Sequence, residues 1–268
     1  MKHIITGEKI QQLCDVYLGN ENDFNFNPVI REQRVKHKRL NDITYIYNNP
    51  YKIFCYSHNI ELLSKKIIYF KNDFILVTHN SDGNIKKTDN VLTILDNPKL
   101  KMWYGQNVCF QHPKLKFLPI GIANSQWPHG NVSALLDSVT NKSAKQNNVY
   151  FNFNINTNKE KREKCYNSIK HKVEWLPMVS YSEHIKRLNS YKFCICPEGN
   201  GVDTHRLWEC LYLNVVPIVV KSDFTDTLLR EKIPIVVLNV WDEFDIDKLN
   251  YNDIDFDNLK YTTPIILE

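Results

Sequence analysis

Two closely spaced glycines, Gly199 and Gly201, stand just ahead of a run whose polar residues suit a phosphorylated ligand. From Phe193 to Val220 the chain reads as strand, loop, helix, turn and strand. In open α/β sheets ligands bind beyond the carboxyl ends of strands, where such loops sit. The helix that follows offers unpaired N–H groups and the positive end of its dipole, both favourable to phosphate. Asp203 fits the N-cap, Thr204 places a hydroxyl just inside the helix, and Asn200 lies between the glycines. Thr204, Leu207, Trp208 and Leu211 follow core spacing, which leaves His205, Arg206 and Glu209 off that stripe. Arg206 can reach back to a diphosphate by charge-assisted bonds, and Glu209 can accept from sugar or ribose hydroxyls. An ordinary i, i+3 surface pair between Arg206 and Glu209 accounts for the same spacing. Because the chain holds only 8 glycines, their pairing in this loop favours the ligand reading. A dinucleotide fingerprint lacks its third glycine, and no Walker lysine follows.

The elements that must position this loop alternate in type. Lys52 to Ser57 and Phe74 to Thr78 read as strands, with a helix over Ile60 to Phe70 between them. Thr88 or Asp89 can cap a helix reaching Leu95, and Phe117 to Ile122 is a further apolar run. The polar stretch from Asp137 to Asn148 is expected to be an interdomain linker. Beyond it, strands are expected at Val149 to Phe153, Val173 to Leu176, Phe193 to Cys196, Pro217 to Val220 and Ile235 to Leu238. Helices are expected at Asn158 to Ile169, from the capping box at Ser180 to about Ser190, over Asp203 to Leu213 and over Phe224 to Arg230. Such alternation implies βαβ units and parallel sheets. The expectation is an α/β protein of two domains, residues 1–143 and 144–268. The first fifty residues give no clear pattern, and the basic run from Arg34 to Arg39 reads as a solvated face or a phosphate contact.

Composition narrows the classes. At 43% hydrophobic and 24% charged, the chain is neither disordered, collagen-like nor coiled-coil. A net charge of +4 without a dense basic stripe gives no support to nucleic acid as a partner. No apolar run is long enough for a transmembrane helix, and the start carries no signal-peptide pattern, so a cytoplasmic location is expected. The 7 cysteines show no framework of repeated spacings, which suits reduced thiols. Cys194 and Cys196 have a metal-like spacing, but alternate strand residues share a face and read as core cysteines.

The segment SYKFCICPEGNGVDTHRLWECLYLNVVPIVV resembles the nucleotide-sugar-binding segment of exostosin-like glycosyltransferases. FILVTHNSDGN, WYGQNVCFQHPKLKFLPIGIANSQWPHG and VYFNFNINTN are similar to that family as well, so the resemblance runs from about Lys52 to Val220. It implies a GT-B architecture, two Rossmann-like domains facing a central cleft, and sugar transfer with inversion from a UDP-sugar such as UDP-xylose or a UDP-hexose. The acceptor would be a sugar or glycan hydroxyl. The segment also resembles, more loosely, the donor site of α1,3-fucosyltransferases, with Glu198, Thr204, Arg206, Leu207 and Trp208 in the matching places. A GDP-fucose donor is therefore an alternative, as is a binding module without catalysis. Gly201, not a glutamate, stands eight residues before Glu209, which disfavours a retaining mechanism. Asn214 replaces the glycine usual before the following strand, and Asn tolerates left-handed backbone.

An inverting transferase needs a general base for the acceptor hydroxyl and positive charge for the leaving diphosphate. Arg206, Arg162 and the helix N-terminus can supply the charge, so no metal or other cofactor is expected. Arg162 reads equally as a solvated charge among Lys159, Lys161 and Lys164. Asp82 is the expected base, in a loop that also carries His79, Asn80 and Ser81, although Asp82-Gly83 equally suits an Asx turn. His79 is the substitute base, since imidazole titrates near neutrality. Trp127 and His129 are expected to line the acceptor site, where a ring stacks on a sugar face; a core role is the competing assignment for Trp127.

Overall fold

The computed structural model describes residues 4–19, 37–39, 51–141, 143–252, 254 and 256. The described residues divide into two compact units, the first up to Ile120 and the second from Gly121 to Phe256. Each has its own parallel sheet, as the alternating pattern predicts.

In the first unit, β1 (Val16–Gly19), β2 (His37–Arg39), β3 (Lys52–Cys55), β4 (Phe74–Thr78), β5 (Leu100–Gly105) and β6 (Leu115–Phe117) lie in the order β2-β1-β3-β4-β5-β6. All five β4 residues are buried, because layers cover both sheet faces and a continuous apolar run then suits a strand. Helices α1 (Gly7–Gln12), α2 (Ile60–Lys66) and α3 (Asp89–Leu95) belong to this unit. Thr88 caps α3 by accepting from the Val91 N–H, as the sequence suggests. One core, holding Leu63, Leu76, Ile94 and Trp103, lies on one side of the sheet. A second, holding Ile10, Tyr17, Phe54 and Val77, lies on the other. The strand order reverses direction at β1 and β3, so their carboxyl ends form a topological switch point.

The second unit contains α4 (Val132–Thr140), β7 (Asn147–Tyr150), α5 (Lys159–Ile169), α6 (Tyr181–Leu188), β8 (Tyr191–Ile195), α7 (His205–Tyr212), β9 (Val216–Val220), α8 (Asp223–Arg230) and β10 (Val236–Leu238). Its sheet runs β10-β9-β8-β7, every pair parallel. Apolar stripes at helical spacing put α7 and α8 against the sheet, with Leu207, Trp208, Leu211, Phe224 and Leu228 buried.

Several expectations need correction. The stretch from Asp137 to Asn148 is not an extended linker: its first third completes α4 and its end opens β7. Asn189 ties α4 into the second unit by donating to Ser138 O (3.0 Å) and Asn141 O (3.2 Å), so the units divide at 120/121 and not at 143/144. Val173 to Leu176 forms no strand. There Trp175 packs edge-on against Phe151, Phe153 and Tyr166, an aromatic cluster that an alternating apolar pattern imitates. Only Leu115–Phe117, at the front of the expected apolar run 117–122, pairs in a sheet. Within the basic run, residues 34–36 lie outside the described residues, while His37–Arg39 forms β2.

Candidate functional site

A cavity of about 650 Å³ opens at the carboxyl ends of β8 and β9, wholly within the second unit. Two helices begin there. Thr204 is the N-cap of α7 and makes no side-chain capping bond, while Ser222 caps α8 through a reciprocal capping box with Thr225. Glu198 and Thr204 line the cavity, joined by Lys161 and Lys164 of α5 and by Lys221 at the end of β9. Leu207, Phe224 and Leu228 give it an apolar wall, and Trp241 stands at its edge. Helix N-termini, three ammonium groups and an apolar wall together suit a ligand with both phosphate and a flat or apolar part. Glu198 is ion-paired to Lys161.

The remaining donor candidates lie around this cavity without lining it. Arg162 braces the glycine loop: its Nε donates to Glu198 O (2.8 Å) and its Nη1 to Asn154 O (2.7 Å). Burial, then the nearby Arg206 charge, lowers its pKa to about 10, so it is a load of positive charge beside the loop at neutral pH. Gly199 is held by Asn158, whose Nδ2 donates to its carbonyl at 2.8 Å, and its own N–H reaches Gly201 O at 3.1 Å. Asn200 is exposed at the loop tip. Asp203 is buried and is not the N-cap; its Oδ1 accepts the Trp208 indole N–H at 2.7 Å, and the cap passes to Thr204.

Arg206 and Glu209 do pair at i, i+3, but inside the protein. Arg206 Nε lies 3.3 Å from Glu209 Oε2, and Arg206 Nη1 donates to Asn152 O at 2.7 Å. Glu209 is 4% exposed and also accepts from His184 Nε2 at 3.3 Å. Burial and then the Arg206 charge keep His184 neutral. Its Nε2–H therefore donates to Glu209, while Nδ1 accepts from the Tyr150 hydroxyl at 2.9 Å. Burial by itself would raise the Glu209 carboxyl; the His184 hydrogen bond and the Arg206 charge outweigh it and hold the pKa at about 2. Tyr150, His184, Glu209 and Arg206 thus form a largely buried ionic network in the second unit.

Trp127 and His129 were expected on the acceptor side, in the first domain, but they fall in the second unit. Trp127 is 42% exposed and stacks on His129, with ring centroids 6.4 Å apart. His129 in turn lies 6.1 Å from His205, the first residue of α7. His205 Nδ1–H donates to Gly121 O at 2.8 Å, which fixes its tautomer. The Trp127 loop closes tightly: a Cβ at Gly130 would collide with the Asn124 carbonyl, so glycine is required there. An exposed aromatic row therefore leads to the start of the helix that borders the cavity.

In the first unit the expected base lies in the loop after β4. Asn107 Nδ2 donates to Ser81 O (3.0 Å) and Gly83 O (3.3 Å), and Ser57 Oγ donates to Gly83 O (3.1 Å). Ser81 Oγ meets His58 Nδ1 at 3.1 Å. These bonds pin the backbone and leave Asp82 exposed. His79 is fully buried; its Nε2–H donates to Pro119 O at 2.9 Å and its Nδ1 faces the Asn80 amide at 3.2 Å. Asp82 is the accessible carboxylate of the pair, and His79 fastens the loop. Asn80 adopts φ 57°, a left-handed conformation that Asn tolerates.

Sequence reasoning missed Lys161 and Lys164, which read as solvated charges beside Arg162, as well as Lys221 and the inward role of His184. A hint existed at Lys221-Ser222-Asp223-Phe224-Thr225, where a strand runs straight into a capping pattern. No family model matches the chain, and no curated protein is recognisably similar to it. Among the described residues no helix is long and apolar enough to cross a membrane.

Proposed function

We propose that the protein is an inverting glycosyltransferase of GT-B type that binds a UDP-sugar in the second unit. The observation that carries this reading is the 650 Å³ cavity, with Glu198, Thr204 and three lysines at the carboxyl ends of two parallel strands. The diphosphate would lie against the N-terminus of α7, its charge met by Lys161, Lys164 and Lys221. Trp241 would pack on the base, and the row Trp127, His129 and His205 would hold a sugar ring. Asp82 would take the proton of the acceptor hydroxyl as its oxygen bonds to the anomeric carbon and UDP departs with the electron pair of the broken bond.

A thermal-shift panel of UDP, GDP and their sugars tests the reading. UDP and one UDP-sugar should raise the melting temperature in a concentration-dependent way. A response to GDP alone would redirect the assignment to a fucosyl donor, and no response to any nucleotide would end it. Transfer that survives intact in Asp82→Asn would remove Asp82 as the base.

A further inference from the structure

The cysteines of β8 and α7 form a group that the donor reading does not use. Cys194 lies in β8 and Cys196 just beyond it; two residues apart, they share a face of the sheet. Cys210 comes from α7. All three are buried, the Cys196 and Cys210 sulfurs are 3.8 Å apart, and the three sulfurs lie within 4.8 Å of one another. Zinc–thiolate bonds of about 2.3 Å in a tetrahedron place neighbouring sulfurs about 3.8 Å apart. One edge of such a site is therefore already in place, and the others need only small side-chain movements. Thiolate-rich sites select zinc and other soft cations. Cys196 also borders the cavity, which gives an ion a way in from solvent.

We propose that Cys194, Cys196 and Cys210 form a thiolate site for a soft metal cation of the zinc class, separate from the ligand of the neighbouring cavity. Binding one divalent ion forms three metal–sulfur bonds and releases the three thiol protons to water, with no change of oxidation state. The ion with three thiolates carries one net negative charge, close to the Arg206 guanidinium. The inference goes beyond the transferase reading and stands or falls without it.

The test is a cobalt(II) titration of the whole protein, reduced with a phosphine that leaves the metal free. A thiolate-to-cobalt charge-transfer band should grow to saturation at one equivalent and vanish on adding zinc(II). Cys210→Ser should lose the band, and Cys109→Ser, in the first unit, should keep it. Absence of the band in the native protein would overturn the proposal and leave three core thiols packed as small apolar groups. A band unchanged in Cys210→Ser would overturn it too, by putting the metal elsewhere. Should Cys210→Ser fail to fold, alkylation of the native protein decides: zinc must slow modification of these three cysteines and not of Cys109. Nucleotide-induced shifts are read separately, so a failed donor reading cannot be mistaken for a failed metal site.

Discussion

The loops after β4 and after β8 are built alike and serve differently. Each leaves the carboxyl end of a parallel strand, and each is held by side chains that donate to its carbonyls. Asn107 and Ser57 hold Ser81 and Gly83 in the first unit; Arg162 and Asn158 hold Glu198 and Gly199 in the second. In the first, a carboxylate is left exposed at the tip. In the second, the loop becomes one wall of a cavity, and Arg206 and Glu209, the charged groups with the strongest motif signature, do not line it. The contrast teaches that Arg162 braces the loop and Arg206 and Glu209 hold each other, while less conspicuous lysines line the ligand space.

The sharpest way to break this contrast is Arg206→Ala. Removing the guanidinium leaves Glu209 buried without its cationic partner and Asn152 O without its donor, so stability should fall by about 3–5 kcal/mol. Denaturant unfolding checks it, and a loss near zero would return Arg206 to the ligand. The same network predicts a pH dependence. Glu209 has a folded-state pKa of about 2 against an ordinary 4.5, so its contribution is complete above 4.5 and is lost as pH falls toward 2. Neutral His184 acts in the same direction, since its lowered pKa makes the unfolded chain bind the proton first as pH falls. Glu209→Gln should be less stable at neutral pH and lose less on acidification; parallel acid profiles would contradict the network.

How much of this was legible beforehand depends on the kind of signal. Apolar runs bounded by turn residues gave β3, β4, β8 and β9, because burial on both faces imposes the run itself. Caps at Thr88 and Ser180 were readable, since a cap is a local hydrogen bond between residues near in sequence. Burial of charge was not. Arg206 and Glu209 sit at a spacing that suits a solvated pair equally well, and only His184, 25 residues before Glu209, closes the network. Cys210 likewise meets Cys196 only through the packing of α7 on β8.

Lys221 sharpens the comparison from the other side. It is exposed at the end of β9 and lines the cavity, and its backbone N–H alone serves the sheet by donating to Leu238 O at 2.8 Å. Lys221→Ala should therefore leave the melting temperature of the free protein unchanged within about a degree. Affinity for UDP should fall about tenfold, the worth of one charge-assisted contact. Titration calorimetry reads the affinity, and equal binding by both proteins would take Lys221 out of the site.

The smallest effect separates backbone need from side-chain need at two of the left-handed asparagines, Asn80 and Asn214. Asn80 faces the ring of His79, so its side chain has a task. Asn214 makes the turn before β9 at φ 56°, and its buried Oδ1 has no hydrogen-bond partner. Its carbonyl, which any residue would supply, accepts the Tyr251 hydroxyl at 2.7 Å. Asn214→Gly removes the unpaired acceptor and the left-handed strain, and it adds about 0.5–1 kcal/mol of unfolded-state entropy to overcome. These offset, so stability should stay within about 0.5 kcal/mol of the parent, measured by urea unfolding with an unchanged slope. Asn214→Ala keeps the strain without the tolerance of Asn and should lose about 1 kcal/mol. Equal losses in both variants would mean that the Asn214 side chain, like that of Asn80, is needed for itself.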